Sequence, residues 1–263
     1  MQELNLVEIY WSVQGEGTQV GVPSVFVRFG ECDLRCAWCD SPETWLPAKR
    51  CRLEVDPGSQ RFEEYPNPTP VLRAAQAVER LHGPGGGLVS ITGGEPLLQP
   101  DGLVAFVDTL RERSAPAYRF LRETHGLAAD ALERVAGSVD IISMDWKLVS
   151  DVRRASDPRH GEVPSFDDEH ERFLACAVAQ SKASVYVKVV VTLATQEEEL
   201  ETVCARVAAR APRTPLILQP VTPSGTVRTA PSAAGMLRWL RFCRDRLPDV
   251  RVIPQTHKSL GVL

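Results

Sequence analysis

The sequence predicts an α/β fold whose strands and helices alternate and curl toward a barrel, on three observations. Strand-like and helix-like segments alternate along most of the chain, which implies a parallel sheet with right-handed crossovers. The length of 263 residues with 43% hydrophobic content suits one substantial core, and α/β barrels of this size are commonly single domains. Polar residues that stand out from their apolar strands, namely Arg28, Thr92, Glu123, Asp145 with Lys147, and Gln219, all fall at strand C-terminal ends. Sites of such folds gather there.

Taken in order, Leu4–Val13 alternates as a strand and turns at Gln14–Gly17, and Ser24–Phe29 is a second strand. Arg28, within that apolar strand, reads either as a snorkelling edge residue or as a cation over an anion-binding pocket; its place at the strand's end favours the pocket. Residues 47–69 are proline-rich with no helical period and read as an excursion or short hairpin outside the core. Thr69-Pro70 supply an N-cap and first turn for a helix to about His82. Five strand–helix units follow: Leu88–Thr92 with 101–113, Tyr118–Glu123 with 128–135, Val139–Met144 with 166–180, Ser184–Val191 with 197–210, and Pro215–Gln219 with 230–246. A last strand, Val250–Ile253, opens the tail 254–263.

Between the first two strands and the excursion lies Cys32-Asp-Leu-Arg-Cys36-Ala-Trp-Cys39. Three thiolates at this CxxxCxxC spacing can wrap one loop around a cubic iron–sulfur cluster. A closed cluster takes four cysteines, so three leave one iron open to a small molecule. A structural zinc loop is the alternative. It wants four ligands, usually as two short pairs, and would need a distant fourth such as Cys51. The stretch Thr92-Gly93-Gly94-Glu95-Pro96 follows a strand and is not a P-loop, because no Gly-Lys-Ser/Thr follows. Its glycines would let backbone amides approach a ligand, and Glu95 could accept from an ammonium group.

Composition excludes some functions. A net charge of −4 gives no electrostatic footprint for nucleic acid. The arginines of 238–246 have the spacing of a solvated helix face. No apolar run approaches the ~18–20 residues of a membrane span. Seven cysteines without an apolar leader point to a reducing, cytoplasmic setting. Cys176, Cys204 and Cys243 read as buried small hydrophobes, and Cys51 as an unassigned thiol in a polar loop.

Through CxxxCxxC and Gly-Gly-Glu-Pro the sequence resembles the radical S-adenosylmethionine (SAM) superfamily. Over nearly its whole length it resembles one family within it, the 7-carboxy-7-deazaguanine synthases of the pathway that supplies queuosine. The marks are Val13–Gly17, Phe26–Phe29, Trp38–Ser41 with Thr44-Trp45, Thr92–Pro96, Glu123-Thr124, Gln219-Pro220 and Pro254–Lys258. The resemblance implies a single domain, 1–263: a partial (β/α)6 barrel of the radical SAM type with an N-terminal strand extension. Residues 30–46 would be the cluster-binding loop, 47–69 an insertion and 254–263 a substrate-capping tail.

It also implies the chemistry. The open iron of a [4Fe–4S] cluster chelates SAM, and reduction cleaves SAM to a 5′-deoxyadenosyl radical. That radical contracts the ring of 6-carboxy-5,6,7,8-tetrahydropterin to 7-carboxy-7-deazaguanine with loss of ammonia, and magnesium assists. No catalytic side chain is implied beyond the cluster and the SAM radical. Carried over by residue, Cys32, Cys36 and Cys39 hold the cluster and the Ser41 hydroxyl holds Mg2+. Trp38, Gly93, Gly94, Glu95, Ser143, Asp145, Lys147, Gln219, Pro220, Val221 and Thr222 contact SAM. Val13, Gln14, Gly15, Arg28, Thr92, His257 and Leu263 contact the pterin.

Serine at 41 departs from the commoner threonine but retains the oxygen that magnesium favours. Ser143–Lys147 is longer than the compact Ser-Pro-Lys of the family, and the polar loop 151–165 has no assigned role. The resemblance further implies a homodimer and a flavodoxin or ferredoxin as electron donor. Two rivals stand beside it. A glycyl-radical-enzyme activase shares both main motifs but leaves Gln14–Gly17, Arg28 and the His257 tail unexplained. A non-catalytic, metal-stabilised binding module leaves the strand-end polar cluster without purpose.

Overall fold

The computed structural model describes residues 2–113, 118–158, 163–180 and 182–262. Ten strands form one sheet: β1 (Leu6–Val13), β2 (Pro23–Phe29), β3 (Arg50–Glu54), β4 (Phe62–Pro66), β5 (Leu88–Gly93), β6 (Arg119–Thr124), β7 (Ile141–Asp145), β8 (Ser184–Val191), β9 (Leu216–Pro220) and β10 (Val250–Val252). Its order is β10-β9-β8-β7-β6-β5-β2-β1-β3-β4. From β2 to β10 every neighbouring pair is parallel. The helices α1 (Val71–His82), α2 (Pro100–Arg113), α3 (Ala129–Arg134), α4 (Asp167–Ala179), α5 (Glu197–Arg210) and α6 (Ala233–Arg244) are the crossovers, and α7 (Thr256–Leu260) ends the chain. The fold is thus the expected α/β sheet, with its edges left open.

Period-2 alternation gives each parallel strand two faces. Val89, Ile91, Phe120, Ile142, Val187, Val189, Leu216 and Leu218 point to the helices and make the main core with residues such as Ala74, Val78, Leu103, Phe106, Phe173 and Val203. The opposite face begins with Leu88, Leu121, Ile141, Tyr186 and Ile217, a separate apolar floor inside the curl. One or two pleats further along each strand the same inner face turns polar. There stand Ser90 and Thr92, Glu123, Ser143 and Asp145, Lys188, and Gln219, while β1 and β2 add Glu8, Tyr10, Phe26 and Arg28. Register brings these side by side: Arg28 pairs with Thr92, Glu123 with Ser143, and Asp145 with Lys188.

Five sequence expectations change. The first strand breaks at Asn5, so that Glu3–Leu4 pairs instead with Thr69–Pro70. Thr69 therefore does not cap α1; its hydroxyl donates to Asn67 Oδ1 at 2.9 Å. Residues 47–69 are a hairpin, as one reading had it, but not outside the core. β3 pairs in parallel with β1, which buries Cys51 and Leu53 completely. The 151–165 loop begins with a strand, Val152–Arg154, paired to Leu34–Cys36 of the cysteine loop. Residues 159–162 lie outside the described ones. Cys204 and Cys243 are buried as expected, and Cys176 is only half-buried. Among the described residues, no helix is long and apolar enough to cross a membrane.

Candidate active site

The cysteine loop leaves the end of β2 across the Gly93-Gly94 turn. The amides of Gly94 and Glu95 donate to Phe29 O (3.0 Å) and Glu31 O (2.8 Å), so they brace the loop. A Cβ on Gly94 would stand 1.9 Å from Glu31 O, and Gly93 has φ +117°, so both positions require glycine. On the far side, Thr226 donates from N (2.8 Å) and Oγ1 (3.0 Å) to Ala37 O, and Ser224 Oγ donates to Cys39 O (3.2 Å). Sequence reasoning missed this Ser224-Gly225-Thr226 clamp; Gly225, at φ +59°, lies against Ala37 O.

The three thiols line one wall of a cavity of about 370 Å³. Burial pushes the Cys32 thiol up to about 12 and the Cys36 thiol up to about 11; a bound metal group would favour their thiolate forms. Among the described residues, no three His, Cys, Asp or Glu side chains converge on a point as a single ion requires. Cys51, the fourth ligand a zinc loop would need, is buried in the core.

The opposite wall is a charge network. Lys188 Nζ lies between Glu16 and Asp145, 3.1 Å from Asp145 Oδ1, and Lys147 Nζ lies 2.7 Å from Asp145 Oδ2. Burial opposes both ammonium charges, yet Asp145 then Cys36 raise Lys147, and Asp145, Glu16 and Glu123 raise Lys188, above the ordinary lysine range. Asp145 is held low by the two lysines against its own burial. Glu123 is the extra carboxylate: burial first, then Glu16, raises it. It accepts from Thr92 Oγ1 (2.7 Å) and Gln14 Nε2 (3.1 Å). Lys147 Nζ also sits 4.7 Å from the Trp38 ring centroid, a cation–π contact that ties the network to the cysteine loop. Beside it, Arg28 Nε donates to Glu8 Oε1 (2.9 Å) and its Nη2 to Tyr10 Oη (2.7 Å), and Arg52 pairs with the other Glu8 oxygen.

The tail closes one side. Thr256 donates to Gly15 O from N (2.9 Å) and Oγ1 (3.2 Å), and Gln255 Nε2 reaches Glu16 Oε1 at 2.7 Å. His257 packs so closely on Gly15 that a Cβ there would be 2.1 Å from its Nδ1.

Of the residues singled out by sequence, Cys32, Cys36, Cys39, Trp38, Ser41, Gly93, Gly94, Asp145, Lys147, Gln219, Val221, Thr222, Gln14, Arg28, Thr92 and His257 line this cavity. Val13, Gly15, Ser143 and Pro220 adjoin it without lining it. Glu95 is also behind the wall. Its fully buried carboxylate caps the following turn, accepting from Leu97 N (2.9 Å), Thr124 Oγ1 and His125 N (2.8 Å), and no oxygen faces an ammonium group. Leu263 lies outside the described residues. Glu8, Tyr10, Asp40, His125, Lys188 and Lys258 line the cavity too and were not singled out as site residues by sequence. Alternation held the signal for some of them: Lys188 stands between valines on β8, as Glu8 and Tyr10 do among apolar residues on β1.

Residues 27–179 match the family profile of the radical SAM superfamily. The chain is 38% identical to the 7-carboxy-7-deazaguanine synthase of Geobacter sulfurreducens, over 98% of this chain and 97% of that protein. The chain belongs to the 7-carboxy-7-deazaguanine synthase family. Another member, from Methanopyrus kandleri, is 35% identical over 99% of this chain and 94% of its own. The crystal structure of QueE from Escherichia coli shares the fold at TM-score 0.57 and 19% identity, covering 96% of this chain and 94% of that one.

Radical SAM family members use a [4Fe–4S] cluster and SAM, and the residues present fit both. Three thiols from one loop face the cavity, matching a cluster with an open iron. Gln219 Oε1 is buried with no hydrogen-bond partner among the described residues, and Gln219 lies on the cavity wall, where a ligand's donor would satisfy it.

Proposed function

We propose that this chain is a 7-carboxy-7-deazaguanine synthase that contracts 6-carboxy-5,6,7,8-tetrahydropterin with loss of ammonia. The observation that carries the reading is the meeting, in one cavity, of the motif thiols with the strand-end set Arg28, Thr92, Glu123 and Lys188. Its volume of about 370 Å³ is that of a small-molecule site, which disfavours an activase acting on a protein.

When bound, the cluster and SAM supply the hydrogen-abstracting chemistry. Cys32, Cys36 and Cys39 would hold the cluster. Trp38, Gly94, Asp145, Lys147, Gln219, Val221 and Thr222 would orient SAM beside it. Gln14, Arg28, Thr92 and His257 would grip the pterin, with Arg28 held in place by Glu8 and Tyr10 and available to the substrate carboxylate. Glu123 is pushed toward its protonated form by burial and Glu16. It can therefore hold a proton on a carboxyl oxygen and give a hydrogen bond to the ring. The tail, pinned on Gly15 and Glu16, would exclude water once substrate is in place.

For magnesium the support is local. The Ser41 hydroxyl makes no cap bond to the backbone and donates to Asp40 Oδ1 at 3.3 Å, while Lys258 Nζ lies 3.4 Å from Asp40 Oδ2; Ser41 and Asp40 thus set two hard oxygen donors side by side. A homodimer and a flavodoxin- or ferredoxin-type donor belong to the same proposal through the family resemblance.

The test is anaerobic reconstitution and reduction, followed by incubation with SAM, magnesium and 6-carboxytetrahydropterin, with the deazapurine read by mass. Product from the wild type and none from Cys36→Ala is the expected result. SAM cleavage without deazapurine would move the reading to another substrate.

A further inference from the structure

We propose that His125 is a positioning residue for the cysteine loop. It would hold the segment after Cys32 in the shape that presents the thiols, and so set how tightly the cluster is retained. The proposal rests on Cys32, Cys36 and Cys39 being the cluster ligands.

His125 follows β6, and its side chain is 5% exposed. Leu127 N donates to its Nδ1 at 3.2 Å, which makes Nδ1 the acceptor and leaves the ring hydrogen on Nε2. Nε2 lies 2.9 Å from Asp33 Oδ1, on the residue next to Cys32. The backbone amide of His125 donates to Glu95 Oε2 (2.8 Å), and the amide of Glu95 donates to Glu31 O (2.8 Å), on the other side of Cys32. Glu31 has φ +75°, a left-handed conformation that L-residues adopt at a cost and that persists only when its surroundings enforce it.

Glu95 and His125 thus form a bracket with one arm on each side of Cys32, and Asp33 is its outer attachment. The Asp33 side chain is 43% exposed, so water could satisfy its carboxylate equally well. What the bond adds is geometry. Groups standing behind metal ligands tune retention in this way, typically by about 10–100-fold.

The test uses the full chain with its cluster loaded anaerobically, comparing His125→Leu, His125→Gln, Asp33→Ala and Asp33→Asn with the wild type. The measurements are iron release to a chelator, the electron paramagnetic resonance spectrum of the reduced cluster with and without SAM, and far-ultraviolet circular dichroism. His125→Leu and Asp33→Ala are expected to release iron about tenfold faster with altered spectra. His125→Gln, which restores a donor near Nε2, and Asp33→Asn, which keeps an acceptor, should recover most of the difference. Wild-type release and spectrum in Asp33→Ala would overturn the proposal. That variant decides the matter even if His125→Leu fails to fold, because Asp33 is half-exposed. A wild type that loads no cluster would overturn the underlying ligand reading, and it is recognisable before any variant is made.

Discussion

Single side chains in this protein carry charge into places where water cannot follow, and the sign of their effect depends on company. Lys188 is buried between Glu16 and Asp145. Lys188→Met leaves the buried Glu16 without its cation and Asp145 with Lys147 alone, and is expected to lower unfolding stability by about 3–5 kcal/mol, measured by urea denaturation. Arg122 is the opposite case. It is completely buried, and none of its three guanidinium nitrogens has a partner among the described residues; burial pushes it down to about 10. Glu95 attracts this charge without bonding it; Arg122→Met should stabilise the protein by about 1–3 kcal/mol in the same assay, and a loss would show that the attraction to Glu95 outweighs the cost of burial. Alternation marked Lys188 in the sequence, but the surroundings of neither residue were legible there. The partner of Lys188 appears only with the register that sets it beside Asp145, and the burial of Arg122 only with the packing of the sheet. Cys32, Cys36, Cys39 and Arg28 were legible because loop spacing and strand-end position are local facts, whereas a partner across a sheet is not.

At the scale of elements, the turns after the strands do the positioning. His170, on α4, accepts from Lys147 N at 2.9 Å through Nε2 and bonds Gly126 O at 3.0 Å through Nδ1, tying the end of β7 to the turn after β6. Burial pushes it from an ordinary 6.5 down to about 3. Between those values the unfolded chain holds the extra proton and the folded one does not. The contribution of His170 is therefore complete above about pH 6.5 and is lost as pH falls toward about 3, at up to about 1.4 kcal/mol per unit. His170→Gln should flatten that part of the stability–pH curve. In the loop after β9, Gly225→Ala would place a methyl 2.4 Å from Ala37 O at φ +59°. Little iron is expected to be taken up on reconstitution, with the helical signal unchanged. The sequence announced the Gly93-Gly94 turn but assigned its amides to a ligand. Only the fold shows them spent on Phe29 and Glu31, because what a glycine makes room for is decided by whatever folds back against it.

At the scale of the whole molecule, an open sheet has to be completed by segments that are not strands of it. The cysteine loop reaches from the end of β2 to the clamp at Ser224–Thr226, and the tail lies over Gln14–Glu16. Ending the chain at Ile253 should leave the unfolding temperature nearly unchanged while raising KM for the pterin much more than KM for SAM, as read by steady-state kinetics. Equal effects on both would show that the tail serves the fold and not the substrate. The alternation of strands and helices, and the gathering of polar side chains at one end of the sheet, were readable from pattern alone. The joining of the 50–66 hairpin to the sheet was not, since its prolines and charges describe a loop as well as an edge. One consequence concerns descent. Gly15 and His257 stand at opposite ends of the chain yet occupy a single volume, with no room for even a methyl between them. A lineage that changes one must answer at the other, so the first and last turns of this protein are bound to drift together.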